Sequence, residues 1–227
     1  MNTVNVSGYA FFRLEADNLP SIKESLKNHC RSLGLKGSIL IAEEGANIFL
    51  AGTRDMIDTI ADDLVHRFGF PKIAFKESFT DYQPFRKMLV KIKKEIISMG
   101  CPEIKPSENP APYLKAEELK AWYDEGKDFI LLDTRNDYEY ELGTFKNAMT
   151  FDIDHFRSFP EVVRQLSEDM KDKTIVTFCT GGIRCEKAAP FMMAQGFKNI
   201  YQLDGGILKY FEECGNEHYE GECFVFD

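Results

Sequence analysis

The chain has 227 residues, 44% of them hydrophobic, with six cysteines and a formal net charge of −9. That length suits two modest globular domains, while the acidity excludes a general nucleic-acid coat and the scattered cysteines exclude a disulfide framework. No apolar run reaches membrane-spanning length and MNTVNVSGYA lacks the plan of a signal peptide, so a cytoplasmic protein with reduced thiols is expected.

Charge divides the chain unevenly. Residues 1–110 hold 15 Lys+Arg against 14 Asp+Glu, a net of +1; residues 111–227 hold 13 against 23, a net of −10. A polyanionic partner should therefore meet the first half or the seam between the halves.

Residues 4–15 read as a strand. The segment LPSIKESLKNHCRSLG follows as an amphipathic helix, with Ser21 and Glu24 in capping-box spacing and Ile22, Leu26, Cys30 and Leu33 on one face. KGSILIAEEGANIFLAG reads as two strands around a turn at 43–46. TRDMIDTIADDLVHRFG is a second helix, with Met56, Ile60, Leu64 and Phe68 aligned, and KIAFKESF is a further strand. The order β-α-β-β-α-β predicts an α+β ferredoxin-like domain over residues 1–99. Its last stretch, PFRKMLVKIKKEIISMG, gathers Arg86, Lys87, Lys91, Lys93 and Lys94 with no acid before Glu95. Two readings fit those cations: a solvated edge strand guarded by lysine, or an RNA-binding surface that tracks phosphates.

Four prolines in residues 100–112 predict a semi-rigid linker. Residues 113–217 then alternate helix and strand: YLKAEELKAWYDEG as helix, FILLDT as buried strand, 159–170 as helix, TIVTFC as strand, CEKAAPFMMAQG as helix, NIYQL as strand and GGILKYFEEC as helix. This alternation predicts an α/β domain with a parallel sheet, whose site lies at the carboxyl ends of strands. Asp133 and Cys179 both fall at such ends. Residues 218–227 form a tail.

TIVTFCTGGIRCE concentrates the chemistry. Cys179 follows a buried strand, Gly181 and Gly182 force a turn, and a helix begins near Cys185. Backbone N–H groups of Thr180, Gly181, Gly182 and Ile183, the helix dipole and the Arg184 guanidinium all favour a thiolate at Cys179. Such a cup holds a thiolate, a persulfide or a small oxyanion.

CTGGIR followed by CEKAA resembles the active-site loop of the rhodanese superfamily. Arg184 stands five positions after Cys179, as in the shorter sulfur-handling loops, and Phe178 replaces the histidine that related phosphatases carry before their cysteine. LLDTRNDYEYELGTFKNA and LDGGILKY are similar to further segments of the superfamily, with Thr144 where many members carry histidine and Tyr210 where an aromatic is common. GSILIAEEGANIFLAG, PFRKMLVKIKKEIISMG and the closing CFVFD extend the resemblance to the tRNA uridine hydroxylase (TrhO) family over nearly the whole chain. That resemblance implies a rhodanese domain after the ferredoxin-like one, oxygen-dependent 5-hydroxylation of the wobble uridine, tRNA as partner, molecular oxygen as co-substrate and Cys179 as the persulfide-forming cysteine. It also implies truncation at Asp227, because family members often continue into a cysteine-bearing tail.

Around Cys179 the supporting roles stay open. Asp133 either orients Arg184 or the loop, or closes a strand-end salt bridge, and Arg135 shares that ambiguity. Cys185 either resolves an oxidised Cys179 as a disulfide or starts the helix facing the core. Glu44 and Asn47 either face the active loop or serve turn chemistry. Cys214, His218 and Cys223 offer too few ligands at poor spacing for a metal, so packing is expected. No two-His-one-carboxylate spacing, dinucleotide fingerprint or haem motif accounts for oxygen activation. Three functions therefore compete: a tRNA uridine hydroxylase, an oxidoreductase; a sulfurtransferase carrying a Cys179 persulfide; and a non-enzymatic redox or binding module.

Overall fold

In the computed structural model, which describes residues 3–225, the first strand, β1 (Thr3–Phe11), turns Val4 and Val6 inward and leaves alternate residues half-buried. It ends earlier than the sequence suggests. Past Phe11 the backbone leaves the ladder, and Phe12 and Leu14 donate to the carbonyls of Glu44 and Glu43. Helix α1 (Leu19–Ser32) buries Leu19, Leu26 and Cys30. Ser21 does not cap it: Pro20 sits in the first turn and starts the helix earlier, so the expected capping box is absent.

Strands β2 (Lys36–Ala42) and β3 (Gly45–Gly52) form a hairpin, followed by α2 (Arg54–His66), whose Thr53 accepts at its hydroxyl from the Met56 N–H. Of the expected 72–79 strand only β4 (Lys76–Thr80) pairs. The sheet order is β4-β1-β3-β2-β5, the ferredoxin-like arrangement with one strand added. That addition, β5 (Met88–Ile92), lies parallel to β2 at the edge and is the basic segment. Both helices bury their apolar stripes on one face, where Val6, Ile39, Ile41, Ile48 and Leu50 meet Leu26, Ile57, Ile60 and Leu64. Cys30 sits in this core, and burial pushes its thiol up to about 12, so it is chemically inert.

The chain divides into two compact units between Ile97 and Ser98. Within the proline-rich 100–112 stretch, Cys101, Ile104, Pro106 and Ala111 are buried.

The second unit is built on four parallel strands in the order β6-β10-β9-β7: β6 (Tyr113–Leu114), β7 (Ile130–Asp133), β9 (Thr174–Phe178) and β10 (Asn199–Leu203). A second, antiparallel pair joins β8 (Gly143–Phe145) to β11 (Tyr219–Gly221). Its helices are α3 (Ala116–Asp124), the single turn α4 (Asp137–Tyr140), α5 (Phe159–Arg164), α6 (Cys185–Ala194) and α7 (Gly206–Cys214). The expected 159–170 helix is thus shorter: after Arg164 the chain breaks and re-forms as a 3-10 turn, Glu168–Asp172. Residues 113 and 114, expected as helix, pair instead with Gln202 and Leu203. Helix α6 is buried from Cys185 to Met192, with the charged Glu186 and Lys187 buried among its apolar residues. Asp227, on which the truncation expectation rests, lies outside the described residues.

Candidate active site

Strand β9 ends at Phe178, and the next residue, Cys179, is fully buried between the sheet and the start of α6. The backbone N–H of Gly182 donates to its Sγ at 3.1 Å. Gly182 does so at φ 98°, a conformation that side-chain-bearing residues seldom adopt. Ideal Cβ geometry at Gly181 meets nothing within 4 Å, so the outer side of the loop faces open space there.

A second helix end braces the loop from behind. Ile207 and Leu208, in the first turn of α7, donate to the carbonyls of Cys179 at 3.0 Å and Thr180 at 3.1 Å. The approach is close enough that a Cβ on Gly206, at φ 66°, would lie 2.3 Å from the Cys179 carbonyl oxygen. This is the physical reason for a glycine pair in LDGG.

Burial pushes the Cys179 thiol up, but the Cys185 thiol hydrogen bond, the Arg184 charge and the backbone N–H groups of Arg184 and Cys185 outweigh it and bring it well below the ordinary thiol value. Cys185 moves the opposite way, driven up first by burial and then by the Cys179 thiolate beside it. The pair therefore shares its proton unequally: Cys185 keeps it and donates to Cys179. The Cys185 sulfur also lies 3.6 Å from the Thr134 hydroxyl, which in turn donates to the Phe178 carbonyl at 3.0 Å. Cys185 is thus both a fully buried helix-start residue and a partner of Cys179.

Arg184 is held by a carboxylate that the sequence reading did not single out. Glu139, fully buried on α4, accepts from the Arg184 guanidinium through both oxygens, at 2.5 and 2.7 Å. The same Glu139 accepts from the Asn136 backbone N–H at 3.1 Å. The Asn136-x-x-Glu139 spacing, a helix-start signature, was the available signal. Burial works against the Arg184 charge, and Glu139 and the Cys179 thiolate overcome it and raise its pKa. Thr180 joins the network at longer range, its Oγ1 lying 3.4 Å from Glu139 and 3.5 Å from Arg184.

Asp133 and Arg135 form a separate, fully buried pair. The Arg135 guanidinium reaches Asp133 through Nε at 2.9 Å and a terminal nitrogen at 2.7 Å, and that nitrogen also donates to the Gly143 carbonyl at 2.7 Å. Thr144, at the position where many rhodaneses carry histidine, donates to Asp133 at 2.8 Å. Tyr219 on β11 donates to the same Gly143 carbonyl at 2.8 Å. The pair ties the end of β7 to the β8–β11 ladder.

Elsewhere, Glu44 accepts from the Ile96 N–H at 2.7 Å and the Asn47 amide donates to the Ile96 carbonyl at 3.4 Å. His218 groups with Asp124 and Glu217, not with cysteines. The Lys120 ammonium bridges those two carboxylates at 2.7 and 2.8 Å, and the His218 ring stacks on Tyr123. Burial raises both the Cys214 and Cys223 thiols. In the first unit, Arg86, Lys87, Lys91, Lys93 and Lys94 are all exposed, and none pairs with an acid among the described residues. No helix among them is long and apolar enough to cross a membrane.

Residues 3–96 match the family described as the UPF0176 acylphosphatase like domain, and residues 115–213 match the rhodanese-like domain. Over its full length the chain is 50% identical to a tRNA uridine(34) hydroxylase of Cupriavidus necator, of which it covers 82%. It is 49% identical to one of Burkholderia thailandensis, of which it covers 79%. A solution structure of a rhodanese-like domain from Anabaena sp. is 24% identical, with a TM-score of 0.41 over 49% of this chain and 80% of that one.

Proposed function

The chain belongs to the tRNA uridine(34) hydroxylase family, and we infer that it is an enzyme that hydroxylates the wobble uridine of tRNA. The observation that carries the chemistry is the buried Cys179 sulfur, held as an anion by the Gly182 N–H, the Arg184 charge and the Cys185 thiol. A thiolate of this kind is a ready nucleophile. Its addition to uracil C6 forms an S–C6 bond and breaks the C5–C6 π bond, moving that electron pair onto C5 in conjugation with O4. C5 becomes the electron-rich carbon that 5-hydroxylation requires. Departure of the C5 proton and of the thiolate restores the aromatic ring and the free enzyme. Molecular oxygen is the co-substrate implied by the family resemblance: one of its atoms ends on C5 and the other leaves as water, taking two protons and the two electrons of an external two-electron reductant.

The other residues have positioning roles. Glu139 fixes the Arg184 fork bidentately, which sets the direction from which the charge meets Cys179. Thr180, Gly181, Gly182 and Ile183 supply the loop backbone. Asp133 and Arg135 act at a distance, by holding the strand end. The exposed cations Arg86, Lys87, Lys91, Lys93 and Lys94 meet the tRNA phosphates. With tRNA as substrate, the enzyme works in the cytoplasm.

The rhodanese-like match over 115–213 favours a second reading, in which Cys179 carries a persulfide to a sulfur acceptor. One experiment separates the two: nucleoside mass spectrometry on bulk tRNA from cells lacking the protein, complemented with wild type or Cys179→Ser. The hydroxylase reading expects wild type to restore 5-hydroxyuridine derivatives and Cys179→Ser to leave them missing. Unchanged hydroxyuridine with a loss of a thiolated nucleoside overturns it in favour of sulfur transfer.

A further inference from the structure

Two of the most exposed large apolar side chains in the first unit are aromatic and close in sequence: Phe79 is 60% exposed on β4, and Tyr82 is 63% exposed two residues after that strand ends. The segment from Tyr82 to Lys94 then contains five cations and no acid. Its path is fixed by hydrogen bonds. The Thr80 hydroxyl donates to the Tyr82 carbonyl at 2.7 Å, the Gln83 amide donates to the Ala51 carbonyl at 3.1 Å, and the Phe85 N–H donates back to Gln83 at 3.1 Å.

Ala51 lies near the end of β3, opposite Asn5 of β1 and Lys36 of β2. The connection therefore runs along one end of the sheet, from the β4 edge to the β5 edge. Four inter-strand steps of about 4.8 Å make that path about 19 Å long. At its far end the Lys87 carbonyl accepts from the Gly37 N–H at 3.2 Å, which puts Lys87 beside Lys36, itself exposed. One rim of the sheet thus carries two exposed rings, then Arg86, Lys87 and Lys36, and continues along β5 with Lys91, Lys93 and Lys94.

We propose that this rim takes the unpaired loop of the tRNA substrate, with Phe79 and Tyr82 stacking on bases and Lys36 joining the β5 cations on the phosphates. The inference rests on the tRNA reading above and specifies which part of the RNA the first unit holds. Charge complementarity names a polyanion as occupant, and the rings narrow it: bases splayed out of a loop have π faces to stack, whereas duplex RNA and acidic peptides do not offer them. Tyr82 sits on a pinned turn, so little ordering is lost when a base lands on it.

The test is equilibrium fluorescence anisotropy with the full chain, across a salt series, using a labelled anticodon stem-loop RNA and a blunt RNA duplex of equal length. Tyr82→Ala and Phe79→Ala each weaken stem-loop binding about tenfold, leave duplex binding unchanged and keep the salt slope; Tyr82→Phe restores wild-type affinity. Lys36→Gln and Lys87→Gln weaken both RNAs and flatten the salt slope by about 0.7 each. Both rings are exposed, so unchanged thermal unfolding of each variant certifies the fold. Stem-loop binding that ignores both alanine substitutions overturns the stacking proposal while leaving the tRNA reading intact. Wild type that binds neither RNA overturns the tRNA reading itself. Polyglutamate competing as well as the stem-loop assigns the rim to an acidic protein and also overturns the proposal.

Discussion

Among the described residues, the second unit buries six charged side chains, Asp133, Arg135, Glu139, Arg184, Glu186 and Lys187, whereas the first unit buries none. The first unit instead displays its cations along an edge strand. The difference teaches what each half does with charge. A buried charge costs several kcal/mol unless it is matched, so it persists where it fixes a geometry, as Glu139 fixes Arg184 beside a thiolate. A solvated charge costs little and steers a polyanion from a distance, at the mercy of salt. The two buried pairs also differ: Asp133–Arg135 anchors a strand end, and Glu139–Arg184 brings its charge to Cys179.

The comparison breaks most visibly at Glu139. Glu139→Ala leaves the Arg184 charge without its bidentate partner, and a cost of about 3–5 kcal/mol is expected in urea unfolding of the second unit, together with loss of hydroxylation. If that unfolding midpoint does not move, the pair is not the internal support described above. Next comes Gly206→Ala, which drives a Cβ against the Cys179 carbonyl; it destabilises the second unit by about 1–3 kcal/mol. Gly126→Ala is its control, with φ at the same 66° and nothing within 4 Å of the added carbon. Equal effects of the two substitutions argue against a tight brace behind the loop.

A smaller effect is expected at Cys185. Cys185→Ala removes a donor to the thiolate, so the protonated form of Cys179 gains and its midpoint rises above that of wild type. Ultraviolet thiolate absorbance against pH reads this directly, and hydroxylation falls off at a higher pH than in wild type as the solution is acidified. A midpoint that stays put means the Cys185 hydrogen bond contributes nothing. The smallest effect belongs to the first unit: Lys91→Gln lowers tRNA affinity less than tenfold, flattens its salt dependence by slightly less than one unit of slope and leaves thermal unfolding unchanged. An affinity insensitive to Lys91 at low salt returns that residue to a guard on an edge strand.

Much of the fold was legible because periodicity is local. Ile175, Val176 and Phe178 read as a buried strand, and Ile60 and Leu64 as one helical face, without reference to the rest of the chain. Errors gathered where a distant segment decides. Whether Lys72 or Lys76 begins the fourth strand depends on where β1 offers partners. Tyr113 and Leu114 are strand only because β10 lies beside them. Glu139 is hidden in the sequence for the same reason: its helix-start role is written in NDYE, but its bond to Arg184, 45 residues later, is not.

The amino-acid order by itself determined the local make-up of the Cys179 loop, since a strand-end cysteine, two glycines, an arginine and a helix start are neighbours in the chain. It also determined the basic stretch, because five cations without an acid are a fact of composition. Only the tertiary structure decided which carboxylate holds Arg184, that Cys185 lies beside Cys179, and that the first turn of α7 braces the loop. Those are matches between surfaces far apart along the chain, and they exist only once burial has removed the water that would otherwise satisfy each group.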